Sequence, residues 1–345
     1  MLYASTRSNR DAYTAQRVLK EKRCPEGGLF VPFRLPASEA ISVCALAEKS
    51  LNQIISDVLN YFFNTHISSW DVDLCLGRNS VRLEQLNQRI VSLECWHNLA
   101  WDFSGMVNRL MGLICSNPDC EADLDWMEVA VRIAVLFGAF GELMRRDCIS
   151  ADQKVDISVA AGDFSAPMSA WYARYMGLPI GNIICSCNEN GGLWDLIHHG
   201  YFRTDGVAVQ TLTPSSDVIV PCGLERLIHA CGGSREAMCY VDAVRRGGSY
   251  FPRDLIWKRI ADGMFVSVVS GRRMEATIRS AYSTDRYLLS PYAALAYAGL
   301  QDYRSKTGET RFALVLSQRS PGLDSDVVSK ALNLSEEEYS KYFNR

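Results

Sequence analysis

The stretch Ser92 to Phe103 reads SLECWHNLAWDF and places Glu94, Cys95, His97 and Asp102 within nine residues. Carboxylate, thiol and imidazole groups can move protons or attack electrophilic carbon, provided a substrate is held beside them. A second stretch, Gly162-Asp163-Phe164-Ser165, follows an apolar run and precedes a helical pattern. Loops at such junctions bind anions through backbone N–H groups where glycine allows a close approach. Cys185 and Cys187 fall on one face of an expected strand, and His198-His199 follow soon after. Zinc chemistry could use that set, but buried core thiols and a solvated helix end are much the more common reason for such a pattern. No metal ligand is therefore assigned. One absence bears on all of this: no lysine occurs between Lys49 and Lys154.

The elements that must position these groups are of two kinds. The first ninety residues are expected to be mostly helical. A short helix runs over Ala12 to Lys22, Leu29-Phe30-Val31 is extended, and helical spacing returns from Ser38 through Leu59. Ile90 to Trp96 reads as a strand and Asp102 to Ile114 as a helix; a polar run, 115–123, separates it from an apolar helix over Met127 to Met144. Glu128 and Arg132 inside that helix, with Gly138 and Gly141, argue for a buried core helix rather than a membrane span. From there strands and helices alternate: strands at Val155–Ala160, Asn182–Cys187, Met264–Val269 and Phe312–Leu316, helices at Pro167–Met176, Leu193–His198 and Pro291–Leu300, and a helix start near Gly223. Such alternation predicts an α/β fold with a parallel sheet covered on both faces.

Composition sets wide limits. The 345 residues are 48% hydrophobic and 22% charged, which suits a globular chain. A net charge of −3 gives no electrostatic case for nucleic acid or an anionic membrane. The twelve cysteines form no CxxC pair or framework, and the opening residues lack a secretory pattern. The expectation is a cytoplasmic protein with reduced thiols.

Several segments together carry a resemblance. Tyr3-Ala-Ser-Thr-Arg7, Gly27-Gly-Leu-Phe-Val-Pro32, Leu93-Glu-Cys-Trp-His97 with Leu99-Ala-Trp-Asp-Phe103, Ile157-Ser-Val-Ala-Ala-Gly-Asp-Phe164, Gly177-Leu-Pro-Ile180, Asn188-Glu-Asn190, Thr213 to Asp217, Leu224-Glu-Arg-Leu227 and Ser290-Pro-Tyr-Ala-Ala294 occur in the order found in the threonine synthase family. The chain resembles that family over most of its length. The resemblance implies the large domain of a fold-type II pyridoxal-phosphate enzyme of the tryptophan synthase β-like superfamily.

It also implies what has changed. The family's LELFHGPTLAFKDF carries the lysine that holds pyridoxal phosphate as a Schiff base; here Asn98 replaces Gly-Pro-Thr, and no lysine adjoins Asp102. The phosphate-wrapping SVPTGNFG corresponds to Gly162, Asp163, Phe164 and Ser165, so a carboxylate and a serine stand in a degenerate cup. The hydroxyl expected beside the pyridine nitrogen is Gln318, the neighbouring family histidine and lysine are Ser320 and Leu323, and the histidine of DPHTA is Tyr292. Without its neighbours, His97 is expected to be structural. Nothing resembles the TSGDTG loop, so most of the small domain that covers the cofactor is expected to be missing.

The implied domains are an N-terminal, mostly helical segment (1–90), a remnant of the small domain with a short linker (91–126) and an α/β large domain (127–345). The expected function is that of a pseudoenzyme, with no catalytic residue assigned and no cofactor expected. Its role would be binding, scaffolding or regulation, through a homo-oligomer, a complex with an active relative, or a small anion or amino-acid ligand. The alternative is an active pyridoxal-phosphate lyase acting on O-phosphohomoserine or a related amino acid, completing its site with another chain.

Overall fold

The computed structural model describes residues 1–345 except 36–40, 78–81, 96–101, 116–123, 336–337, 340 and 342–345. The chain opens with a small antiparallel sheet, β2–β1–β3, formed by β1 (Leu2–Ser5), β2 (Ser8–Thr14) and β3 (Phe30–Pro32). The helix expected over Ala12–Lys22 shrinks to α1 (Ala15–Val18). Tyr13 is instead taken by the hairpin, where its ring stands edge-on to Phe30 at 5.3 Å. The long helix expected from Ser38 is likewise interrupted: a 3₁₀ turn spans Val43–Glu48, and α2 (Leu51–Phe63) starts afresh from a capping box of Ser50 and Gln53. A second capping box, Ser68 with Asp71, starts α3 (Ser69–Leu76).

The main sheet has six strands in the order β10–β7–β6–β11–β5–β4. They are β4 (Arg82–Asn87), β5 (Ile90–Glu94), β6 (Val155–Ala160), β7 (Ile180–Cys187), β10 (Met264–Val268) and β11 (Ala313–Ser317). All pairings are parallel except β4 with β5. Between β5 and β6 run α4 (Phe103–Ile114) and α5 (Leu124–Arg145); among the described residues of that interval, no strand and no further helix occurs. β6 leads into α6 (Ser165–Tyr175). β7 leads into α7 (Gly192–His199), then the ribbon of β8 (Phe202–Arg203) and β9 (Ser249–Tyr250), with α8 (Leu224–Arg245) between them. α9 (Asp254–Ala261) precedes β10; α10 (Gly271–Asp285) and α11 (Pro291–Thr307) follow it, and α12 (Ser325–Leu332) follows β11.

α5 is the central element: every side chain from Val129 to Phe140 is buried. Such a helix, apolar all round, needs protein on all sides, and it gets α2, α4, α6 and the 3₁₀ turn. α11 covers the opposite face of the sheet, with Ala293 to Leu300 buried against β6 and β7. Among the described residues, no helix is long and apolar enough to cross a membrane.

The N-terminal sheet is tied to this frame by polar groups. Trp126 of α5 donates its indole N–H to Tyr3 Oη at 3.0 Å, and Tyr3 donates to the Phe62 carbonyl at 2.7 Å. Arg7 makes a two-pronged pair with Glu225 of α8, and Arg226 pairs with Asp125 of α5 at 2.9 Å.

Candidate functional site

A cavity of about 370 Å³ opens at the carboxyl ends of β6 and β11, where parallel sheets place their ligands. Its wall includes Gly162, Asp163 and Ser165 from the β6–α6 loop, Gln318 just past β11, Tyr292 at the start of α11, and Asp102 and Phe103 at the start of α4. These segments, distant in sequence, thus meet at one cavity. Phe164 is the exception, its side chain packing under the loop in the core.

The loop is held in an unusual shape. Gly162 has φ +47° and Phe164 has φ +74°. The second is a strained conformation for an aromatic residue, costing on the order of 1–2 kcal/mol, and the burial of its ring retains it. Between them, Asp163 Oδ1 accepts from the Ser165 backbone N–H at 3.0 Å and from its hydroxyl at 2.7 Å. An anion belonging to the chain therefore sits at the first turn of α6, where N–H groups attract negative charge.

Serines fill much of the remaining wall. Ser215 and Ser216 come from the loop after β8, pinned by a network joining two motif segments: the Asn188 amide donates to Thr211, Thr213 and Asp217 at 2.8–3.0 Å, and the Asn190 amide to the Val209 carbonyl at 2.8 Å. Tyr292 Oη accepts from the N–H and hydroxyl of Ser215. Asp102 caps α4 by accepting from Gly105 N at 2.9 Å. Arg319 also lines the wall, but its Nε is closed onto Asp324.

Two wall residues were not singled out from the sequence as site residues. Arg132, 3% exposed on α5, lays its guanidinium over the Phe103 ring at 4.3 Å and lies 3.6 Å from Glu128. Glu128, one turn earlier, has its carboxyl held above the usual range by burial, with Asp163 and Asp125 adding to the effect and Arg132 opposing it. The available signal was a Glu–Arg pair four residues apart inside an apolar helix. Arg132 Nε and Gln318 Nε2 are both buried without a hydrogen-bond partner.

The chain's lysines are Lys20, Lys22, Lys49, Lys154, Lys258, Lys306, Lys330 and Lys341. None lines this cavity, and none falls among the residues outside the described set. His97 and Trp101 lie outside the described residues. Cys95 is buried and its thiol pushed up to about 12 by desolvation. Cys185 and Cys187 are buried in β7, Cys187 also pushed up to about 12. His198 bonds the Val266 carbonyl and His199 faces Asp195. Among the described residues, no group of three or more such side chains is placed to hold a metal.

Comparison with known proteins agrees with this picture. Residues 2–78 match the family model "Threonine synthase N terminus". The human protein "Threonine synthase-like 1" is 26% identical over 210 residues, covering 60% of this chain and 28% of its own length. Threonine synthase of Saccharomyces cerevisiae is 25% identical over 236 residues, covering 63% of this chain and 45% of its own length. The chain thus spans less than half the length of these curated relatives. In structure, threonine synthase from Brucella melitensis, solved with pyridoxal phosphate bound, aligns with TM-score 0.83 at 20% identity over 97% of this chain and 92% of its own. The yeast enzyme aligns with TM-score 0.84 at 15% identity over 99% and 91%. The chain thus resembles threonine synthases in its N-terminal residues and through its curated relatives, and it shares the fold of the solved threonine synthases.

Proposed function

We propose that this chain is a threonine synthase relative that has given up pyridoxal-phosphate catalysis and acts by non-covalent binding. The observation that carries the reading is the distribution of its lysines. A Schiff base needs a primary amine at the cofactor, which among side chains only lysine supplies on a flexible stem. No lysine lines the cavity, so a relocated one within the chain does not replace the missing group.

The rest of the wall does not fit pyridoxal phosphate either. Asp163 already satisfies the first N–H of α6, and its charge opposes a phosphate dianion at that turn. Glu128 and Asp102 add two further carboxylates. No reaction step is therefore assigned to the cofactor here.

The experiment is a visible spectrum of the protein after incubation with pyridoxal phosphate and dialysis. The expected result is no absorbance band that borohydride removes, and no phosphopyridoxyl-lysine in a digest. A reducible band with a labelled lysine overturns the reading.

A binding role also invites a partner, either a second copy or an active relative. The exposed large apolar side chains Trp70, Leu74, Phe251 and Leu255 lie on α3 and around α9, away from the cavity wall. Light scattering after gel filtration tests self-association: a monomer at every concentration removes the homo-oligomer.

A further inference from the structure

We propose that the cavity is a receptor for a small monocarboxylate, anchored by Arg132 and Gln318. The inference rests on the reading above, that no Schiff base forms there, and names the ligand class the altered wall selects.

Two donors carry it. Arg132 Nε and Gln318 Nε2 are buried with no partner, and both residues line the same cavity. A buried N–H left unsatisfied is costly, and a charged one more so. The contact of Arg132 with Phe103 engages the face of the guanidinium, not its N–H edge. Both residues also converge on one strand end. Gln318 follows Ser317, whose carbonyl accepts from Cys95 N at 2.9 Å, and the charge of Arg132 is felt at the Cys95 thiol. Both side chains line the cavity that opens there, so a planar acceptor in it is offered two unpartnered donors. Guanidinium edges favour planar oxyanions, which accept parallel N–H groups.

Charge decides between oxyanions. Among the described residues, the wall holds three carboxylates, Asp102, Glu128 and Asp163, against two guanidiniums, Arg132 and Arg319. Arg319 is spent on Asp324. A phosphate dianion meets that wall with two charges, whereas a single carboxylate carries one. The carboxylate meets an Arg132 whose Nη groups hold Glu128 and Ser165 only at 3.4–3.6 Å and whose Nε has no partner. Glu128, Asp163 and the serine hydroxyls remain as acceptors for a ligand ammonium, so an amino-acid zwitterion and a simple carboxylate share the chemistry. The volume, about 370 Å³, lies within the range of roughly 300–1,000 Å³ typical of small-molecule sites.

The test is titration calorimetry on the full chain with the standard L-amino acids, propionate, lactate, inorganic phosphate and pyridoxal phosphate. Saturable binding of at least one carboxylate is expected, weakened about tenfold or more by Arg132→Leu, partly restored by Arg132→Lys and weakened several-fold by Gln318→Leu. Binding of amino acids alone identifies the zwitterion; equal binding of propionate identifies the carboxylate. Tighter binding of phosphate, no saturable binding by any carboxylate, or binding indifferent to both positions overturns the proposal. Gln318→Leu keeps the test open if Arg132→Leu fails to fold. Because the borohydride experiment reads the Schiff base separately, failure here leaves the non-catalytic reading standing, and a reducible band there sinks both.

Discussion

Asp163 accepts two hydrogen bonds from Ser165, two residues on, one from its N–H and one from its hydroxyl, and so closes the first turn of α6 with the chain's own carboxylate. Where a phosphate would sit on a helix N-terminus, a side chain sits instead. The turn is thereby satisfied from within the chain, which is what the non-catalytic reading proposed above requires.

This arrangement separates two variants. Asp163→Asn keeps an acceptor for the Ser165 N–H and is expected to cost only a few tenths of a kcal/mol, while removing the charge. Asp163→Ala leaves that N–H and hydroxyl to water and is expected to cost about 1 kcal/mol. Urea unfolding measures both. Both variants should bind inorganic phosphate more tightly than the native chain; an unchanged or weaker phosphate affinity would show that the carboxylate does not oppose anions there.

The N-terminal motif is expected to matter for stability through Glu225. Arg7 donates Nε and Nη2 to its two oxygens at 2.9 and 2.8 Å, the Thr6 hydroxyl donates to the same carboxylate, and both partners are largely buried. Glu225→Gln leaves the Arg7 charge without its counterion, and removing one member of such a pair costs about 3 kcal/mol or more. Arg7→Lys loses the two-pronged geometry and should also destabilise. If either variant unfolds within 0.5 kcal/mol of the native chain, roughly the level of an exposed pair, the N-terminal sheet is not fastened there.

How much of this was legible follows from the same residues. Val155–Ala160 is an apolar run stopped by glycine, and buried parallel strands read that way, so the sequence alone marks both ends of β6. β2, Ser8-Asn-Arg-Asp-Ala-Tyr-Thr14, is an edge strand with five exposed positions, and no alternation betrays it. β4 hides similarly, since a register shift between Gln85 and Asn87 places its buried leucines three apart rather than two. At the site, the loop glycine and Gln318 could be located by matching motifs. Arg132 could not, because a charge inside an apolar helix says only that something faces it; the β6–α6 loop and Gln318 come from distant sequence.

Gly141 illustrates a position where local preference and packing disagree. Alanine is favoured over glycine inside a helix by about 1 kcal/mol. A Cβ there, however, would stand 2.6 Å from the carbonyl oxygen of Leu46, the residue that anchors the 3₁₀ turn by being buried. Overpacking of this kind costs about 1–3 kcal/mol. Gly141→Ala is therefore expected to be destabilising on balance, and a stabilising result in thermal or urea unfolding would mean that the turn moves freely on α5.

Glu94 supplies the pH dependence. It is 1% exposed at the end of β5, takes a hydrogen bond from Tyr287 at 2.6 Å, and has Arg82 Nε 3.0 Å from Oε2 without the alignment of a hydrogen bond. Desolvation holds its carboxyl above the ordinary value of 4.5; Tyr287 and Arg82 pull the other way, and Glu84 adds to the rise. A folded state with the higher pKa binds more protons than the unfolded chain, so stability falls as pH rises. Glu94's favourable contribution is complete below about 4.5 and is lost as pH climbs through its raised value. Glu128 and Asp156 are raised by the same cause, so the whole-protein profile mixes several groups. The difference between Glu94→Gln and the native chain isolates one. Glutamine stays neutral and can still accept from Tyr287, so the variant's relative stability should rise with pH from about 4.5 and then level off. Urea unfolding at intervals from about pH 4 to 8 measures it; a flat difference would mean that Glu94 ionises in the fold as easily as in water.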